Sequence, residues 1–158
     1  MKNEDFEKVL GKISIFFATL DFLSSRLIVE LDIQDVEKLF KSNATLNQKF
    51  GLLNKLTETQ VKQRETFKKL KEILPKAIDL SEQRNRFIHD QWVFNPNNIS
   101  EGKIERIEIV NFHKSNFKIQ KTIHTIENLY ALLGEIGKIQ IQIGNLLNEI
   151  KTIHNNQT

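Results

Sequence analysis

Apolar residues in the N-terminal part of the chain fall at steps of three and four: Phe6, Val9, Leu10, Ile13, Phe16, Phe17, Leu20, Leu23, Leu27 and Leu31. Steps of that size line one face of a helix, so the spacing predicts one long first helix whose aromatic-rich stripe packs against neighbouring helices. A polar break follows at Ser42-Asn43-Ala44-Thr45, where Asn and Thr can cap a helix start. Leu46, Phe50, Leu53 and Leu56 then predict a shorter second helix. A third series, Val61, Phe67, Leu70, Ile73, Leu74, Ala77, Ile78, Ser81 and Ile88, predicts another long helix, with Pro75 expected to kink or briefly break it.

Beyond His89 the pattern changes. Trp92-Val93-Phe94, the turn-rich Asn95-Pro96-Asn97-Asn98, Ser100-Glu101-Gly102 and the apolar positions Ile104, Ile107, Ile109 and Val110 read as a β-hairpin or irregular flap over residues 92–112. From Phe117 onward Ile119, Ile123, Ile126, Tyr130, Leu133, Ile136, Ile143, Leu147 and Ile150 return to helical spacing, which predicts a last long helix. Gly134, Gly137 and Gly144 inside it each cost about 1 kcal/mol relative to alanine. A close helix contact, within the chain or across a dimer interface, would offset that cost. Residues 155–158 are expected to fray.

Six glycines and two prolines in 158 residues favour long helices over many short strands. The expected fold is therefore all-α, a set of long helices in a single domain, 1–158, with the flap inserted before the last helix. Hydrophobic residues at 39% and charged residues at 27% place the chain among globular proteins. The absence of cysteine excludes a disulfide framework, a thiolate metal site and a cysteine nucleophile. The acidic start MKNEDFEKVL does not resemble a signal peptide, and Asp21 cuts the apolar stretch ISIFFATLDFL short of a membrane span. A cytoplasmic location without membrane contact is the expectation.

A net charge of +3 permits nucleic-acid binding without requiring it. The distribution is more informative: between Lys41 and Lys76 nine basic residues stand against three acids, a local net charge of +6. That segment is either an ordinary solvated helix face or a surface for a polyanion, with Lys62, Arg64, Lys68 and Lys69 as candidate contacts to an RNA backbone. Trp92 either stacks on a base or plugs the core where helix meets flap.

The stretch RNRFIHD, Arg84 to Asp90, holds the densest candidate chemistry. On a helix Asn85 and His89 lie four apart on one face, and Arg84 sits about 140° from His89. Phe87 then turns to the core and Arg86 to solvent. An imidazole that titrates near neutrality can move a proton, and an arginine can stabilise a phosphate and its developing charge without a metal. An adjacent amide can orient either group. The same three residues also fit a helix-end polar pair, with Arg84 bound to Glu82 or Asp90.

The stretch Ser81-Glu82-Gln83-Arg84-Asn85-Arg86-Phe87-Ile88-His89-Asp90-Gln91-Trp92 resembles the signature of the HEPN superfamily of helical-bundle proteins, an arginine, a polar residue and, after four to six intervening positions, a histidine. The order of parts, a helical bundle with the motif near the end of its third long helix, is also similar, and the resemblance implies an up-down bundle of four to five helices. The resemblance implies a metal-independent endoribonuclease in which two protomers pair their motifs across a homodimer interface. It implies catalytic roles for His89 as general base or acid at the ribose 2′-hydroxyl, Arg84 as stabiliser of the transition state and Asn85 as the orienting group, with a 2′,3′-cyclic phosphate product. It further implies RNA, and an antitoxin or other protein, as partners. Some toxin members carry a modifiable tyrosine two positions after the histidine, where this chain has Gln91. Other members are catalytically inactive modules that bind RNA or protein.

No cofactor is expected, since GxxxxGK, GxGxxG and GxSxG are absent. No metal is expected either: His113, His124 and His154 are scattered, and no HExxH occurs. His124, beside Ile123, reads as a packed or half-exposed structural histidine. His113 falls at the end of the expected flap.

Overall fold

In the computed structural model residues 3–31, 44–59, 65–113 and 116–155 are described. In chain order they form helices α1 (Asn3–Glu30), α2 (Leu46–Thr59) and α3 (Glu65–His89), strand β1 (Gln91–Val93), the short helix α4 (Pro96–Ser100), strands β2 (Lys103–His113) and β3 (Asn116–Thr125), and helix α5 (Ile126–Asn155). The protein is thus mostly helical with one small sheet. None of the described helices is long and apolar enough to cross a membrane.

The chain divides into two compact units, Met1–Phe16 with Gln83–Glu135, and Phe17–Glu82 with Ile136–Thr158. Helices α1, α3 and α5 each contribute one stretch to each unit. The first unit buries Phe6, Val9, Ile13, Phe87, Ile99, Ile104, Ile126 and Leu129. In the second, Phe17, Leu20 and Leu27 of α1, Phe50 and Leu53 of α2, Leu70, Leu74 and Ala77 of α3, and Ile136, Ile139 and Ile143 of α5 are all buried. Steps of three and four on every helix give each one apolar face, and burial of those faces is the main favourable term.

Local chemistry sets the helix starts. Thr45 and Gln48 form a reciprocal box before α2: Thr45 N–H donates to Gln48 Oε1 at 2.8 Å, and Gln48 N–H donates to Thr45 Oγ1 at 3.3 Å. Thr125 and Asn128 repeat the device at the start of α5, with both distances 3.2 Å. Asn95 caps α4 by accepting from Asn97 N–H at 3.0 Å, with Pro96 in the first turn.

The structure departs from the expected elements at several points. Pro75 does not break α3, which is continuous from Glu65 to His89. The proline removes the donor that would reach the Lys71 carbonyl, and since Lys71 and Pro75 are both exposed, water can serve that group. The region after His89 is a three-stranded antiparallel sheet in the order β1-β2-β3, not a hairpin confined to residues 92–112, and Asn95-Pro96-Asn97-Asn98 leads into the one-turn helix α4. Gly102, at φ 72°, then turns the chain into β2.

The last helix begins at Ile126, because Phe117 to Thr125 belong to β3. Ile119 and Ile123 are four residues apart, and four is a step shared by a helix face and a strand face. The competing signal was the alternation Phe117, Ile119, Ile123, Thr125 among polar residues, with β-branched side chains that favour a strand. Among the described residues an internal close approach also does not account for Gly134 or Gly144, since a Cβ placed at either meets nothing within 4 Å.

Candidate functional site

Helix α3 carries Arg84, Asn85 and His89 into the first unit, and its last turn is extended by the bond from Asp90 N–H to the Arg86 carbonyl at 3.0 Å. All three candidate residues therefore sit on one continuous helix. Arg84 is half-buried with its Nε shielded from solvent, and Arg86 is exposed. The side chains of Asn85 and His89 lie outside the described residues.

Phe87, buried in the middle of the motif, is the point at which the sheet is fastened to the helix. Its ring lies 5.1 Å from that of Trp92 and 5.7 Å from that of His124, and the Trp92 and His124 rings are 5.5 Å apart. The Trp92 indole N–H donates to the Phe87 carbonyl at 3.1 Å, which satisfies a carbonyl in the last helical turn. Trp92 is thus built into a cluster and half-buried. On the sheet, Trp92 pairs with Arg106, Arg106 with Thr122 and Ile104 with His124, so these five residues share the face that meets Phe87.

Arg106 stands on that face with 7% exposure. Its Nε is 3.4 Å from Asp90 Oδ2, its Nη2 is 3.9 Å from Glu108 Oε2, and its guanidinium carbon lies 5.8 Å from the centroid of the Phe87 ring. Two carboxylates and an aromatic face compensate a cation that burial alone would disfavour. Sequence reasoning missed Arg106 and assigned Asp90 only as a possible partner of Arg84. The available signal was a charged residue at an even position between Ile104 and Glu108, on the face that the strand alternation places inward.

His124 is half-buried, and its Nε2 has no hydrogen-bond partner among the described residues. Burial, and then the positive charge of Arg106, hold its pKa below the ordinary histidine value. Both effects favour the neutral imidazole, which packs against the Phe87 and Trp92 rings. His113 ends β2, and its side chain lies outside the described residues.

Of the candidate RNA contacts, Lys62 and Arg64 lie outside the described residues, and Lys68 and Lys69 belong to the second unit. Lys68 is exposed and 3.6 Å from Glu65. Lys69 donates to Glu149 Oε1 at 2.8 Å and Oε2 at 3.1 Å, and that hydrogen bond raises its pKa. The pair borders a groove of about 240 Å³ that Glu72, Ile73, Gln142 and Leu146 also line. Lys49 is neither a solvated charge nor a polyanion contact. It is 6% exposed, with its Nζ 3.0 Å from Asp21 Oδ1. Among the described residues no three His, Asp or Glu side chains converge in a way that would hold a metal ion.

No family model, curated protein or solved structure matches this chain.

Proposed function

We propose that this chain is a metal-independent endoribonuclease of the HEPN type, acting as a toxin or defence effector or as an RNA-processing domain. The observation that supports the reading is the unbroken run of α3 through Pro75 to His89, which keeps Arg84, Asn85 and His89 on one helix whose Phe87 is anchored by Trp92 and His124. His89 takes the proton from a ribose 2′-hydroxyl as that oxygen bonds to the adjacent phosphorus. The bond from phosphorus to the 5′-oxygen of the next nucleotide breaks, and the leaving oxygen receives a proton. The products are a 2′,3′-cyclic phosphate and a 5′-hydroxyl. Arg84 holds the extra negative charge of the phosphorane-like transition state, and Asn85 orients the imidazole or a phosphate oxygen. A second copy of the chain supplies a second motif to the same cleft.

The competing reading is a catalytically inactive helical module that binds RNA or a protein partner. Its protein-binding form is favoured by the engagement of Lys49 and Lys69 with Asp21 and Glu149, which takes two cations out of the basic segment. Incubating the purified protein and a His89→Ala variant with mixed RNA in EDTA separates the two. Fragments ending in cyclic phosphate from the parent protein alone support the nuclease. Intact RNA with both folded proteins, across several RNAs, supports the binding module.

A further inference from the structure

Helix α1 has a second patterned face. On a wheel of 100° per residue its buried positions Phe6, Val9, Ile13, Phe17, Leu20, Ser24, Leu27 and Ile28 cluster on one side. About 150° away runs a stripe roughly 80° wide made of Gly11, Ile15, Ala18, Phe22, Ser25 and Val29. The steps along it are 4, 3, 4, 3 and 4. None of these residues is charged, and the three large ones are among the most exposed apolar side chains of the described residues: Ile15 at 65%, Phe22 at 60% and Val29 at 54%. The Ser25 hydroxyl is satisfied within the helix by the Asp21 carbonyl at 2.9 Å. Alternating steps of three and four are those of a coiled-coil seam, with Ile15, Phe22 and Val29 at one core position and Gly11, Ala18 and Ser25 at the other.

The order of sizes along this seam says what covers it. Large residues recur every seven positions, and a small residue lies between each pair. When two such helices run antiparallel with the midpoints of their stripes together, each large residue meets a small one: Phe22 meets the partner's Ala18, Ile15 the partner's Ser25 and Val29 the partner's Gly11. Every pair is returned by symmetry, as a two-fold interface requires. A parallel pairing would instead set Phe22 against Phe22 and Gly11 against Gly11, which alternates clashes with gaps. The small residues also let the two backbones approach closely, so the large side chains fill the space that those residues leave.

We infer that this stripe is a homodimer interface in which α1 of one protomer packs antiparallel on α1 of a second copy. The inference does not depend on the nuclease reading, since it follows from size and charge along α1 alone, and cleavage plays no part in its readout.

Sedimentation equilibrium of the full chain tests it. The parent protein is expected to be dimeric at micromolar concentration. Phe22→Glu and Ile15→Glu, both at exposed positions, are expected to weaken the dimer at least tenfold with an unchanged far-ultraviolet circular dichroism spectrum. The natural absence of cysteine gives a clean test of direction. A Ser25→Cys chain mixed with an Ile15→Cys chain should form crossed disulfide dimers under mild oxidation, while neither chain alone should. A monomeric parent protein, a dimer indifferent to both glutamates, or crosslinking of Ser25→Cys to itself would each overturn the proposal.

Discussion

Phe87 holds Trp92 in two ways: its carbonyl accepts the indole N–H at 3.1 Å, and its ring lies 5.1 Å from the indole at 51°. One residue at the end of α3 thus fixes both the position and the tilt of the first strand that follows. The motif's spacing and the sheet's attachment are therefore parts of one local structure.

Trp92→Phe keeps a ring in the cluster and deletes the donor. It should cost about 1 kcal/mol, the net worth of one hydrogen bond, whereas Trp92→Ala should cost about 2–3 kcal/mol because the Phe87 and His124 rings lose their neighbour. Urea unfolding followed by circular dichroism measures both. Equal losses for the two variants would show that the hydrogen bond, not the ring packing, dominates.

Acid should loosen this cluster. His124 has a folded pKa below its unfolded value of about 6.5, so the unfolded chain takes up a proton that the folded chain resists. The contribution is at its most favourable above the unfolded pKa, and stability is lost as pH falls from there toward the folded value. Trp92 is the sole tryptophan, so its fluorescence reports on the cluster. Its unfolding midpoint should drop between pH 7 and pH 5.5 in the parent protein and drop less in His124→Phe.

The Lys49 and Asp21 pair should be asymmetric under mutation. The Lys49 side chain is 8% exposed and that of Asp21 39%. Removing the acid strands a buried ammonium, so Asp21→Ala should cost about 1–3 kcal/mol. Lys49→Met leaves a carboxylate that water can reach and should cost less than half as much. Thermal unfolding of both variants at the same pH decides the order.

Alanine should stabilise two helices. A Cβ at Gly51 or Gly144 would meet nothing within 4 Å, so Gly51→Ala and Gly144→Ala gain helix propensity without a clash. Each is expected to add about 0.5–1 kcal/mol, and the gains should sum, because the sites lie on different helices. A loss at Gly144 would instead reveal a contact that only an assembly supplies.

Much of the helical architecture was legible in the chain. Phe6 through Leu31 and Leu46 through Leu53 could only bury one face at a helical period, and α1 and α2 follow those runs. The sheet was half legible. Trp92 to Phe94 and the polar turn after it announced strands, but Ile119 and Ile123 matched both periods and concealed β3. Arg106 escaped because its burial depends on Asp90, Glu108 and Phe87, which converge only after the strands pair. At the motif, Phe87 was readable as core and Arg86 as solvent-facing. The engagement of Lys49 with Asp21 depended on a contact across 28 residues that no local pattern carries.

The sheet order also bears on solubility. Among the described residues β3 is hydrogen-bonded to a neighbouring strand on one side only, and Ile119 and Ile123 on its outer face are about half exposed. An open strand edge with apolar flanks is a template for strand addition and aggregation. Lys121 stands between the two isoleucines on that face, 3.5 Å from Glu105, and keeps a charge in the middle of the patch. Exchanging that lysine for an apolar residue should lower the concentration at which the protein precipitates before it changes the melting temperature.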